Sequence, residues 1–167
     1  MDGQPSRNRA ERDAALAADG GLVFLWEGIL KFVFANQGIG RFTKLGMPLP
    51  ALTAHFIGAL EIGGGALLLL GLATLVIAIP FIIEMIVAIL STKISLFLGT
   101  SPLPLPPAPP TVGIWAVLHE VRSEWAQLIV CTFLLRAGAG PLSLDALLAR
   151  GRVGVRERSV RQIPSAA

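Results

Sequence analysis

The chain is poor in the residues that electron-carrying and metal-binding proteins rely on. Its 167 residues include one cysteine, Cys131, no tyrosine and two histidines, His55 and His119. A lone thiol excludes an internal disulfide, a Cys-x-x-Cys redox pair and a thiolate metal cluster. The missing tyrosine excludes a tyrosyl radical, and two histidines leave little for haem or metal ligation. No glycine-rich nucleotide loop, Gly-x-Ser-x-Gly or His-Glu-x-x-His occurs, because His119-Glu120 is not followed by a second histidine. No metal site and no covalently bound cofactor are therefore expected. Charge is scarce as well: 15% of residues are charged against 53% hydrophobic, with mean hydropathy +0.69. Soluble domains carry about a quarter charged residues, so this composition belongs to the membrane.

What is present is apolar and periodically interrupted. A polar segment, residues 1–16, precedes an apolar run at about 17–35, which Glu27 and Lys31 interrupt. They argue for a retained helix rather than a cleaved signal peptide. Further runs at about 51–71, 72–90 and 124–139 each approach the roughly 20 residues needed to cross a bilayer. The sequence thus predicts an all-α, integral-membrane four-helix bundle over residues 17–150, followed by a basic tail at 151–167. The fourth run is the shortest and contains Gln127, Thr132 and Arg136; an interfacial helix is its alternative. Between the third and fourth runs, Ser101-Pro-Leu-Pro-Leu-Pro-Pro-Ala-Pro-Pro110 cannot be helical.

The net charge of +3 sits at the chain ends and does not imply a nucleic-acid partner. With four crossings, one side holds three arginines before the first run and five from Arg150 onward, and the other side holds Arg41, Lys44, Lys93 and Arg122. Positive residues favour the cytoplasmic face. Both termini are therefore expected in the cytoplasm of a bacterial inner-membrane protein, with the proline-rich loop outside. The tail would meet anionic lipid, and the Pro102–Pro110 loop together with the tail would meet other membrane subunits. Association with a second copy stays open.

Charges inside the apolar runs are the informative feature. Glu61 and Glu84 flank the 71–74 turn at similar distances, about 17 Å at 1.5 Å per residue, and Glu27 lies at similar depth. Lys31 follows Glu27 by four residues, a spacing that favours an ion pair. Arg136 would supply a second cation. Unpaired charges are costly in lipid, so these five should face inward. Three carboxyls against two cations leave one carboxyl to carry a proton. The set Glu27, Lys31, Glu61 and Glu84, with Arg136, fits a quinone headgroup, a proton-coupled site or a small polar substrate; an ion-pair network that fixes helix register is the structural alternative. Lys93, His119, Glu120, Arg122 and Glu124 mark an outer mouth or docking surface. Ser143 suits a helix cap, with Asp145 in the first turn of its own segment or paired to an arginine.

Three segments carry a resemblance: Trp26-Glu-Gly-Ile-Leu-Lys-Phe32, Glu61-Ile-Gly-Gly-Gly-Ala-Leu-Leu-Leu-Leu-Gly71 and Gly138-Ala-Gly-Pro-Leu-Ser-Leu-Asp145. Over residues 20–150 the chain resembles the DoxX family of small bacterial four-helix membrane proteins, and the third segment is the most specific. The resemblance implies a subunit of a redox complex; relatives are linked to a thiosulfate:quinone oxidoreductase with a terminal oxidase and to detoxification enzymes. Arg136 and the long proline-rich loop depart from the family pattern. Scaffold and small-solute transporter are the competing expectations. A chain so poor in redox-active residues is not expected to be a complete enzyme alone.

Overall fold

The computed structural model describes residues 7–150, and all regular structure among them is helical. The elements are α1 (Arg7–Val33), α2 (Ile39–Lys44), α3 (Pro50–Leu69), α4 (Thr74–Leu98), α5 (Gly113–Glu120), α6 (Arg122–Ala137) and α7, helical from 144 to 150. The basic tail at 151–167 lies outside the described residues.

The boundaries differ from the sequence reading in instructive ways. Helix α1 begins ten residues before its apolar run, because the alanine-rich stretch after Arg9 favours helix and its Ala10 and Ala17 are buried. Helix α4 continues eight residues past Leu90 and stops at Gly99, whose φ of +70° suits the residue after a helix end. Short helices α2 and α5 lie between the apolar runs. Among the described residues, α3 and α4 are the helices long and apolar enough to cross a membrane. Helix α1 is broken by charges, and α6 has 16 residues, about 24 Å at 1.5 Å per residue.

The four longer helices associate as two close pairs, α1 with α3 and α4 with α6, joined by lighter α1–α6 and α3–α4 contacts. The first pair is antiparallel and glycine-seamed. A Cβ on Gly21 would stand 2.8 Å from the Gly65 carbonyl oxygen, and one on Gly65 would stand 2.7 Å from the Gly21 oxygen. Further along the same seam, a Cβ on Gly28 would meet the Gly58 oxygen at 2.7 Å. Small residues at such crossings let backbones touch, the usual way helices hold together where no hydrophobic effect drives them. Across the bundle, Phe24 of α1 stacks on Phe81 of α4 with centroids 3.7 Å apart. Leu68, Cys131 and Leu134 complete this core, where Cys131 is fully buried and packs as a small hydrophobe.

The turn between α3 and α4 is held by the far end of the chain. Gly71 has φ +61°, and a Cβ there would strike Ser143. The amides of Leu144 and Asp145 donate to the carbonyls of Leu70 and Gly71. Ser143 caps its own segment as expected, its hydroxyl accepting from the Ala146 amide at 3.2 Å. Asp145 lies in the first turn of that segment, as expected, but pairs with no arginine among the described residues: its carboxylate accepts from the amides of Ala73 at 2.8 Å and Thr74 at 3.0 Å, capping α4 from outside. No side chain of the turn itself caps that helix, so the remote carboxylate satisfies amides that would otherwise lack partners. Asp145→Ala should therefore lower stability by about 1–2 kcal/mol, and Asp145→Asn by about half as much. Thermal unfolding in detergent reads this directly; an unchanged Asp145→Ala midpoint would remove the cap from the account.

Candidate functional site

Between the two helix pairs lies a cavity of about 470 Å³. Its walls are mostly apolar, with Val23, Phe24, Ile57, Leu60, Ile83 and Met85 among them. Glu27 and Lys31 from α1, Glu61 from α3 and Glu84 from α4 all open onto it.

Lys31 does not pair with Glu27, four residues behind it. Its Nζ lies 2.7 Å from Oε1 and 2.6 Å from Oε2 of Glu61 on the neighbouring helix. The glycine seam makes this reach possible by holding α1 and α3 in backbone contact at Gly28 and Gly58, each one turn from a member of the pair. Glu61 is 2% exposed, and the Lys31 side chain 14%. Glu84 lies within hydrogen-bonding reach of Glu61, and Glu27 within electrostatic range. Oε2 of Glu61, beyond its ion-pair contact with Lys31, and Oε2 of Glu84 are buried without a hydrogen bond among the described residues. Two adjacent carboxylates repel one another, whereas one proton shared between them would satisfy both.

Arg136 is not part of this group. It is exposed in the last turn of α6 and does not line the cavity. The second cation on the cavity wall is Arg41 of α2, joined by Gln37 and Thr53. Gln127 of α6 also lines it, 6% exposed, and its Oε1 lacks a hydrogen-bond partner among the described residues. The sequence held a signal for Gln127, a polar residue in the middle of an apolar run. Arg41 gave none, because nothing in its local pattern shows that α2 folds back over the bundle.

The expected outer-mouth residues divide into two groups. Lys93 and Glu124 form a 2.7 Å ion pair between α4 and α6, with side chains 10% and 15% exposed, and Glu124 reaches the cavity. His119, Glu120 and Arg122 stay on the exterior, where His119 and Glu120 are 3.1 Å apart. His55 is exposed and stacks on Phe32 at 5.5 Å.

Apolar helices that direct their charges inward, around a lined cavity, define a helical membrane protein. The chain belongs to the DoxX family, which residues 20–94 match. That segment is narrower than the resemblance in the sequence: it contains Glu27, Lys31, Glu61 and Glu84 and stops before the Asp145 clasp. The chain is 40% identical over 136 residues to the uncharacterized membrane protein Rv3486 of Mycobacterium tuberculosis, a match covering 78% of this chain and 77% of that protein. It is 34% identical over 82 residues to a Bacillus subtilis protein named "Putative oxidoreductase CatD", covering 48% of this chain and 60% of that one. No solved structure matches.

Proposed function

We propose that this protein is a multi-pass subunit of a redox or quinone-linked complex in the bacterial inner membrane. In this reading α1, α3, α4 and α6 all cross the bilayer, with both termini cytoplasmic. The observation that carries the proposal is the Lys31–Glu61 ion pair with Glu84 against it, set in a cavity whose walls are mostly apolar. The similarity to a protein named as an oxidoreductase supports the same reading.

The donor set suits a quinone head. Lys31 carries three N–H donors, enough to engage Glu61 and still offer one to a carbonyl oxygen. Glu84 and Glu61 can hold one proton between them and pass it on, and Gln127 offers a further buried amide. A bound quinone would supply two-electron, two-proton redox chemistry that no side chain of this protein provides. The protein's own part is to orient the head, exclude bulk water and keep a proton at the Glu61–Glu84 pair. Partner subunits would meet the Pro102–Pro110 loop and the basic tail, and lipid the remaining surface.

Glu84→Gln leaves the Lys31–Glu61 pair intact and should lower retained quinone by about tenfold, and Glu61→Gln/Glu84→Gln by more. Unchanged occupancy and turnover in the double variant would sink the proposal. Purification from native membranes in mild detergent, with mass spectrometry of every retained protein and lipid, tests the complex: recovery of redox subunits supports it. One observation favours a second reading, a scaffold role. The two buried ion pairs, Lys31–Glu61 and Lys93–Glu124, each bridge one close helix pair, as register-fixing contacts would. A large non-redox assembly in the same purification would support that alternative.

A further inference from the structure

The cavity has two kinds of rim. At one, Gln37, Arg41, Thr53 and Ser123 are polar and face the end of the bundle. At the other, between α3 and α4, the lining residues Phe56, Ile83 and Val87 are also exposed on the outer surface, by 64%, 57% and 45%. A side chain that both walls a cavity and faces outward marks an opening in the wall. This opening lies on the flank of the two most apolar helices, where a membrane would surround the protein.

The gap has a cause in the packing. Of the four neighbouring pairs among the longer helices, α3 and α4 touch least. Gly64 leans on Ile77 and Phe81 near their shared turn. Beyond that point the two helices present Phe56 and Leu60, and Ile83 and Val87, each pair one turn apart on its helix. Leu60 immediately precedes Glu61, and Ile83 immediately precedes Glu84. On a helix one residue is a step of about 100°, so each helix passes from apolar rim to interior carboxyl in a single step. Pro80 lies on the same wall, with no N–H to donate to the Val76 carbonyl.

We infer that the gap between α3 and α4 is a lateral portal through which a bilayer-dissolved amphiphile enters, its polar head reaching Lys31 and Glu84 while its apolar tail stays between Phe56, Ile83 and Val87. This rests on the proposed function for the identity of the head and goes beyond it in assigning the route and the need for a tail. A solute arriving from water would use the polar rim, since the apolar one offers it no hydrogen bond.

Two measurements on the full chain in nanodiscs test the portal and the head separately. The first compares a polyprenyl quinone with the same headgroup lacking a tail, both expressed as mole fraction in the bilayer. Ile83→Phe/Val87→Phe, which narrows the rim without touching the charged residues, should weaken the tailed ligand by about tenfold and the tailless one by less than about threefold. Equal losses, or none, would overturn lateral entry while leaving the quinone site standing. The second uses Leu60→Trp, a cavity-wall position, with phospholipids brominated in mid-chain. Quenching of the added fluorescence, removed by Ile83→Phe/Val87→Phe, supports the portal even if neither quinone binds and the head assignment fails. Absence of quenching would overturn it.

Discussion

Gly65→Ala is expected to be the most damaging of three neighbouring single-methyl changes. The new methyl would stand 2.7 Å from the carbonyl oxygen of Gly21 and 2.7 Å from the amide nitrogen of Leu25. Both are backbone atoms of α1, so no side-chain rotation relieves the clash and the helices must separate. Overpacking of this kind costs about 1–3 kcal/mol, occasionally more, and here the displacement would also pull Lys31 from Glu61. The run Gly63-Gly64-Gly65 supplies its own controls. At Gly64 the methyl meets Cζ of Phe81 at 2.6 Å, a side chain able to shift by giving up part of its stacking on Phe24. At Gly63 nothing lies within 4 Å, so alanine there should be neutral or stabilise by up to about 1 kcal/mol through helix propensity. Thermal midpoints in one detergent should rank Gly63→Ala above Gly64→Ala above Gly65→Ala. Three equal values would show that the glycines do not set the α1–α3 contact.

Lys31→Met is the second large effect. It leaves Glu61, 2% exposed, facing Glu84 without its cation. Removing one partner of a buried pair costs about 3–5 kcal/mol, because the remaining charge is neither solvated nor matched. Replacing both, as Lys31→Met/Glu61→Leu, should recover most of that loss, since apolar substitutes for a buried pair are often neutral or stabilising. The recovered double variant then separates the two readings of the site: it should be stable yet lose quinone occupancy if the charges bind a head, and keep native assembly if they only fix register. A Lys31→Met protein as stable as the parent would contradict the buried pair itself.

These residues also show how far the sequence is a guide. Helices α3 and α4 could be read directly, because apolar runs of their length are what a bilayer-crossing helix requires. The glycines of α3 are the kind of residue that close helix packing uses, and the charges at matched distances from the 71–74 turn do open onto one cavity. What could not be read was each side chain's partner. Spacing favoured Glu27 for Lys31, but the backbone contact at Gly28 and Gly58 brings Glu61 within reach, and only the three-dimensional crossing reveals it. Arg136 looked like an interior cation because it follows an apolar stretch, yet its place in the last turn of α6 lets it extend outward. Asp145 lies more than seventy residues from the amides it caps, a separation that local capping rules do not reach. The early start of α1 was hidden because alanine-rich polar sequence is as helical as apolar sequence but carries no hydropathy signal.

The Asp145 clasp also bears on the order in which the protein is made. Synthesis runs from the amino end, so α3, the turn and all of α4 exist before Asp145 leaves the ribosome. Until then the amides of Ala73 and Thr74 have no carboxylate, and the carbonyls of Leu70 and Gly71 lack the donors that Leu144 and Asp145 bring. The hairpin of the two most apolar helices is thus left unfinished at its tip and is completed only when the chain has passed through α6 and turned back. A late residue closes an early helix, and synthesis past Asp145 becomes a condition for a finished hairpin tip.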